Sequence, residues 1–160
     1  MADDYKAPAP IETSIGGPLV LWIAFLIVGV ILLLVVAPLV SSNRLAYNLV
    51  RSISNWILYL PGSLVLPLII SVWMGESVGK NRVGIGRSAR IGEVNAVYVA
   101  MVYVITIIII YLVFYYINPV AVSSVSLTDF VEFSVALPVV IVLVLTPIVA
   151  ALSAARHSSL

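Results

Sequence analysis

The chain has 160 residues, 62% of them hydrophobic and 9% charged, and its formal net charge is +1. A soluble domain carries about 25% charged residues, so this composition excludes an ordinary soluble domain and indicates a protein that resides in lipid. The sequence has no cysteine and a single histidine, His157. Disulfides, iron–sulfur clusters, thiolate zinc sites and any site built from several histidines are therefore excluded.

The chain opens with a polar segment, residues 1–17, which is rich in alanine and proline. It carries Asp3, Asp4 and Glu12 against Lys6. A segment of this composition has too little apolar surface to form a packed unit of its own. We expect a disordered or extended arm ahead of the first apolar run.

Four runs of the sequence contain no Asp, Glu, Lys or Arg, and each is long enough to cross a bilayer as a helix of about 20 apolar residues. They cover residues 18–40, 52–75, 94–126 and 133–155. Backbone groups in lipid must be hydrogen-bonded within their own segment, so helices are expected despite the many valines and isoleucines. The connections are short, which makes neighbouring helices antiparallel. The predicted fold is an all-α membrane protein of four apolar helices, arranged as two antiparallel hairpins with both termini on the same side.

The predicted hairpins divide the rest of the chain. The first hairpin covers residues 18–75 and the second covers residues 94–155, with a basic, glycine-rich connecting loop at 76–93 and a C-terminal tail at 156–160. In each hairpin an aliphatic helix leads through a turn containing serine and asparagine into a helix that bears prolines. This plan is typical of a duplicated hairpin and equally of two unrelated apolar hairpins.

Prolines are expected to kink the second helix of each hairpin, because proline lacks the N–H that continues the helix and frees a carbonyl that a neighbour must satisfy. The predicted kinks lie at Pro61, Pro67, Pro138 and Pro147. Shape and packing alone would account for them. A hinge, or a binding site made by broken helices, is the alternative, and it would require a polar or ionisable group at depth.

Basic residues are divided unevenly between the two sides of the predicted bundle. The side with both termini and the central loop carries Lys6, Lys80, Arg82, Arg87, Arg90 and Arg156. The other side carries Arg44 and Arg51. The positive-inside rule therefore places both termini and the central loop in the cytoplasm or in the interior of a particle.

Aromatic and basic side chains lie near the ends of the predicted spans, where amphipathic rings and arginines anchor to lipid headgroups. Leu45, Leu49 and Ile53 recur every four positions beside two arginines, which predicts a helix that begins at the membrane surface. The predicted interface anchors are Arg44, Arg51, Trp56, Trp73, Tyr115 and Tyr116, and Trp22 and Tyr98 belong to the same class.

No predicted span contains an ionisable acid, base or cation of the kind that proton transport or acid–base catalysis requires. Tyr103, Thr106 and Tyr111 are the most polar groups at depth in the third span, and such groups are typical of helix–helix hydrogen bonds. We therefore expect no enzymatic activity, no cofactor and no metal ion.

The central loop contains the stretch GKNRVGIGRSAR, with Lys80, Arg82, Arg87 and Arg90. It fails as a nucleotide-binding loop, because three residues separate Gly75 from Gly79 where four are needed, and asparagine follows the lysine where a hydroxyl is needed. Glycines and basic residues together favour contact with the phosphates of anionic lipid or of a DNA backbone. The alternative is a topology signal without any ligand.

Two stretches resemble a known family: FLIVGVILLLVVAPLVSSN, which ends the first helix, and LPVVIVLVLTPIVAALSAAR, which forms the last. They look like the hairpin-type major coat proteins of spindle-shaped archaeal viruses, and the likeness covers nearly all of residues 15–157. The resemblance implies a lipid-associated capsid protein that assembles as many copies in the virion envelope and host membrane. It also implies that the basic loop faces packaged DNA or inner lipid. This chain departs from the family by being two hairpins long.

A charge-free bundle also fits a second class of protein. A small, non-catalytic accessory subunit of an archaeal respiratory or hydrogenase-type membrane complex would fill space around cofactor-bearing partners. A small transporter or channel is disfavoured by the uncharged spans.

Overall fold

The computed structural model describes residues 12–81, 84–117, 128 and 130–158. Six α-helices are defined: α1 (Glu12–Ile31), α2 (Ala37–Leu39), α3 (Arg44–Leu60), α4 (Leu66–Gly79), α5 (Ile85–Ile117) and α6 (Leu137–Ser158). Three π-helical segments, whose turns are wider than those of an α-helix, directly precede α2, α4 and α6: π1 (Leu32–Val36), π2 (Pro61–Val65) and π3 (Phe130–Ala136). No β-strand occurs in this part of the chain.

These elements combine into four long helices. The first, second, third and fourth spans are Ile15–Leu39, Arg44–Gly79, Ile85–Ile117 and Ser134–Ser158. Each is long and apolar enough to cross a membrane. The predicted all-α architecture with four apolar, membrane-compatible helices is thus confirmed.

The N-terminal boundary differs from the prediction. Helix α1 begins at Glu12, inside the segment predicted to be an extended arm. Ile15 is buried in the core, and this burial extends the helix into the polar segment. Residues 1–11, with Asp3, Asp4 and Lys6, lie outside the described residues.

The connecting loop is shorter than the predicted range 76–93. Helix α4 continues to Gly79 and α5 begins at Ile85, so the connection between them shrinks to residues 80–84. Gly75, just before the predicted loop, and Gly79 within it are both buried helical positions. Among the described glycines, the turn itself uses Gly84, whose φ of +90° is a left-handed conformation that side chains disfavour.

The second span begins earlier than the uncharged run does. Helix α3 starts at Arg44, and the side-chain oxygen of Asn43 accepts hydrogen bonds from the backbone N–H groups of Leu45 at 3.1 Å and Ala46 at 3.2 Å. Asparagine is a favoured residue at this position, because it satisfies N–H groups that have no partner within the helix. The cap fixes where α3 begins.

Three prolines share one local arrangement. Pro38, Pro67 and Pro138 each occupy the second position of a helix that follows a π-helical segment. The proline ring collides with the carbonyl four residues earlier, and the wider turn of a π-helical segment gives that carbonyl room. Pro147 differs, because it lies inside α6 without a preceding wide turn.

The core lies between all four spans. Its fully or nearly buried members include Trp22 of α1, Ile70 and Met74 of α4, Val99 and Tyr103 of α5, and Val142 of α6. Gly29 lets the first and second spans approach each other closely, because a Cβ added there would lie 2.6 Å from a methyl carbon of Leu58. The serine hydroxyl of Ser54 donates to the Gly29 carbonyl at 2.8 Å, which ties α3 to α1.

Candidate functional site

The end of α4 packs against the end of α6 through small residues. A Cβ added to Gly75 would lie 2.6 Å from the Cβ of Val149 and 2.9 Å from the backbone nitrogen of Ala150. Four residues later, one added to Gly79 would collide with the Cβ of Ser153. Glycines spaced by four let helix backbones approach closely in membranes. Because both contacts advance by four residues, α4 and α6 run in the same direction, and α6 continues for five residues past the level at which α4 ends.

The start of α5 lies at this same end of the bundle. Gly92 faces α6, and an added Cβ would lie 3.0 Å from the Cβ of Ala150 and 3.3 Å from the carbonyl oxygen of Thr146. Helix α5 begins seven residues before Gly92, at Ile85. Those seven residues correspond to about 10 Å of helix, which brings the first turn of α5 level with the last turns of α6.

These contacts bring basic residues at or just beyond the ends of three helices to one end of the bundle, which we call the basic end. The described members are Lys80, Arg87, Arg90, Arg156 and His157. Of the four residues predicted to contact phosphate, the structure describes three, and Arg82 lies outside the described residues. Arg156 and His157 were not predicted as part of the site. The sequence feature that could have identified them is their position in the last turn of a helix, where positive charge is favourable.

The charges of the basic end are accessible. Arg87, Arg90 and Arg156 are exposed, as is Glu93. The ammonium of Lys80 lies 3.7 Å from the carboxylate of Glu76, one turn earlier on α4. An exposed pair of this kind contributes only about 0.3–0.5 kcal/mol, so it does not prevent the lysine from contacting another anion.

His157 is held against its own helix. Its Nδ1 lies 2.8 Å from the carbonyl oxygen of Ser153, and because a carbonyl can only accept, Nδ1 carries the hydrogen. The side chain is half-buried. The predicted position of this histidine in a separate tail at 156–160 is wrong for residues 156–158, which continue α6.

The predicted interface anchors are exposed with one exception. Trp56, Trp73, Tyr115 and Tyr116 all present their rings on the surface, and Arg44 and Arg51 are exposed as well. Their position at a membrane interface stays a prediction. Trp22 is fully buried and stacks on Tyr103, with ring centroids 3.8 Å apart. An interface role for Trp22 is therefore wrong, since α1 turns this ring toward the third span.

Three polar side chains in the spans, Tyr103, Ser71 and Thr106, donate to backbone carbonyls. The Tyr103 hydroxyl donates to the carbonyl oxygen of Ser134 at 2.6 Å, which is the helix–helix hydrogen bond expected of such a group. The hydroxyls of Ser71 and Thr106 instead donate to carbonyls of their own helices, those of Pro67 and Val102. Among the described residues no group of three or more His, Asp or Glu side chains is placed to hold a metal ion.

The basic end thus combines several exposed cations with the start of α5 at one end of the bundle. Clustered cations of this kind are favourable neighbours for anionic groups such as phosphate. Comparison with known proteins adds no further assignment, because no protein family, no curated protein and no solved structure matches this chain.

Proposed function

We propose that this chain is a structural, lipid-associated coat protein that assembles in many copies in the envelope of a spindle-shaped archaeal virus and in its host membrane. The observation that supports this proposal is the contrast between the outside of the helix bundle and its interior. Large aliphatic side chains are exposed along all four spans, whereas the interior is closed by glycine contacts and inter-helix hydrogen bonds. Such a unit is stiff inside and apolar outside, as repeated side-by-side packing in lipid requires.

The four helices form two antiparallel hairpins in this proposal. In the first pair, Gly17 contacts Trp73 and Gly29 contacts Leu58, so the contacts run in opposite order along the two helices. In the second pair, Gly92 contacts Ala150 and Tyr103 bonds to Ser134, again in opposite order. This pairing would put both termini on the side of the basic end, which the positive-inside rule assigns to the cytoplasm or particle interior.

The basic end would then face the inner leaflet or the packaged DNA. Exposed cations near an anionic surface contribute about 1 kcal/mol each. Lipid headgroups and a DNA backbone present the same phosphate chemistry, and neither requires sequence-specific recognition. The proposal therefore assigns the basic end a non-specific contact with phosphates, without catalysis.

The proposal is tested by purifying the full chain from lipid vesicles and measuring particle mass and bound lipid. We expect large homo-assemblies that retain lipid and that dissociate reversibly when detergent is added. The detergent-dissociated protein is the control, because it should regain particle mass only when lipid is returned. A defined stoichiometric complex with cofactor-carrying subunits would contradict the coat assignment and favour an accessory subunit instead.

A further inference from the structure

The hydroxyl of Thr146, in the middle of α6, is completely buried and has no hydrogen-bond partner among the described residues. A buried hydroxyl without a partner destabilises a fold, because it loses its bonds to water and gains none in return. Native proteins therefore keep few such groups, and each one calls for an explanation. The surroundings of Thr146 supply one.

Ser71 of α4 lies beside Thr146. Gly75 contacts the backbone nitrogen of Ala150, and α4 and α6 run in the same direction. One turn earlier on both helices, Ser71 therefore lies opposite Thr146. Ser71 is also fully buried, and its hydroxyl donates to the carbonyl oxygen of Pro67 at 2.6 Å. The serine oxygen can still accept a further hydrogen bond.

A backbone carbonyl of α6 lies on the same side of that helix as Thr146. Pro147 has no N–H, so the carbonyl of Leu143, four residues earlier, lacks the donor that its own helix would supply. Leu143 precedes Thr146 by three residues, which places both on one face of the helix. The Leu143 carbonyl is a second acceptor close to the threonine hydroxyl.

Helix α5 adds a third polar side chain at this level. Gly92 lies against Ala150 and the carbonyl oxygen of Thr146. Because α5 runs opposite to α6, Asn95, about 4.5 Å further along α5, comes level with Thr146. Asn95 is fully buried. Polar residues of α4, α5 and α6 thus meet at one level inside an otherwise apolar bundle.

The contact between α4 and α6 widens toward this level. An added Cβ would overlap α6 more deeply at Gly79 than at Gly75, whereas one turn earlier the real side chain of Ser71 is accommodated. The two backbones therefore separate from Gly79 toward Ser71. The widening leaves the hydroxyls of Ser71 and Thr146 close to each other without a direct hydrogen bond between them.

We propose that one water molecule is bound between α4 and α6 at this level. The Thr146 hydroxyl donates to the water oxygen, and the water donates to the Ser71 oxygen and to the Leu143 carbonyl. Buried waters typically make about three such bonds to protein groups that otherwise lack a partner. Water suits these neutral groups, whereas an ion would need a compensating charge that they do not provide.

The bound water would join the second span to the fourth in the interior of the bundle. The hydrogen bond from Ser54 to Gly29 does the same for the second span and the first. This site does not depend on the proposed coat function, because it concerns the interior of a single copy.

Thr146→Val tests the site by the sign of its effect, because valine keeps the shape of threonine and removes the hydroxyl. We expect the equilibrium constant of unfolding in mixed micelles to rise about fivefold, since the water loses a partner. Thr106→Val is the matched control and should change the constant less than about twofold, because that hydroxyl bonds to the Val102 carbonyl of its own helix at 2.8 Å. A more stable Thr146→Val variant would show a dry hydroxyl, and an effect equal to that of the control would show a bond within α6. Either result would overturn the proposal.

A double-mutant cycle tests the bridge itself. If one water joins the two hydroxyls, Thr146→Val combined with Ser71→Ala should destabilise the protein little more than the larger of the two single changes. Ser71→Ala combined with Thr106→Val is the control pair and should be additive. Additive losses for the first pair would refute a shared water.

Solid-state NMR of threonine-labelled protein in vesicles detects the water directly. Magnetisation should transfer from water to Thr146 and not to Thr106, and the Thr146 signal is assigned by its loss in Thr146→Val. Transfer to neither threonine, or equal transfer to both, would contradict a water bound at this one level.

Discussion

Tyr103 donates a hydrogen bond of 2.6 Å to the carbonyl oxygen of Ser134, which is the carbonyl four residues before Pro138. In an unbroken helix the N–H of residue 138 would bond to that carbonyl, and proline has none. The third span therefore supplies the donor that the fourth span lacks. Because the same tyrosine ring stacks on Trp22, Tyr103 joins the third span to both the first and the fourth.

Tyr103→Phe is expected to reduce the free energy of unfolding by about 1 kcal/mol, because it keeps the ring stack and removes the donor to Ser134. Unfolding in mixed micelles followed by circular dichroism measures the loss. Tyr98→Phe is the matched control, since Tyr98 lies on the same helix with an exposed ring. Equal effects of the two variants would contradict the assigned role of the hydroxyl.

Pro138→Ala should make the tyrosine hydroxyl less important, because alanine restores an N–H that can bond to the Ser134 carbonyl. In a double-mutant cycle, the loss caused by Tyr103→Phe should shrink by about half or more in the Pro138→Ala background. An unchanged loss would show that the hydroxyl does not act through the carbonyl that proline leaves free.

Gly79→Val should destabilise the fold, because the added carbons would overlap Ser153 at the contact between α4 and α6. Overpacking of this kind costs about 1–3 kcal/mol. Gly86→Ala is the control, since a Cβ there meets no atom within 4 Å, and alanine in place of glycine in a helix should be neutral or stabilising by up to about 1 kcal/mol. Thermal unfolding in detergent distinguishes the two outcomes, and similar melting temperatures would refute the close contact.

Gly84→Ala should lower the free energy of unfolding by about 1 kcal/mol although nothing lies near the added carbon, because residue 84 has a φ of +90°. Gly84→Asn should be less harmful, since asparagine tolerates a positive φ better than alanine does. The comparison of these two variants by thermal unfolding isolates backbone conformation from packing. A larger loss for asparagine would contradict this explanation.

Replacing Lys80, Arg82, Arg87 and Arg90 by Gln should weaken binding of the detergent-solubilised protein to anionic vesicles and to DNA, with a shallower dependence on salt. Adding Arg156→Gln should weaken it further, by roughly fivefold at about 1 kcal/mol per charge. The control replaces Arg44 and Arg51, at the opposite end, and should bind as the unaltered chain does. If the affinity for both ligands is unchanged, the basic residues serve only as a topology signal.

The sequence alone was sufficient to predict the four helices. Runs without charge that exceed the thickness of a bilayer have no stable alternative to the helix, because each backbone group must find its partner within the segment. The cap at Asn43 and the stripe of Leu45, Leu49 and Ile53 are also local patterns, so the surface-exposed start of α3 could be predicted as well.

The tertiary structure decided which helix faces pack together, and with that the roles of the glycines in α4 and of the buried aromatic residues. Gly75 and Gly79 look the same in sequence whether they loosen a loop or allow two helices to touch, and only the position of Ser153 distinguishes the cases. Sequence likewise gives the depth of Trp22 in a span but not the direction in which its ring points. The bond between Tyr103 and Ser134 joins residues 31 positions apart. Local patterns fix what a segment becomes, whereas partners across the bundle depend on how whole helices rotate and pack.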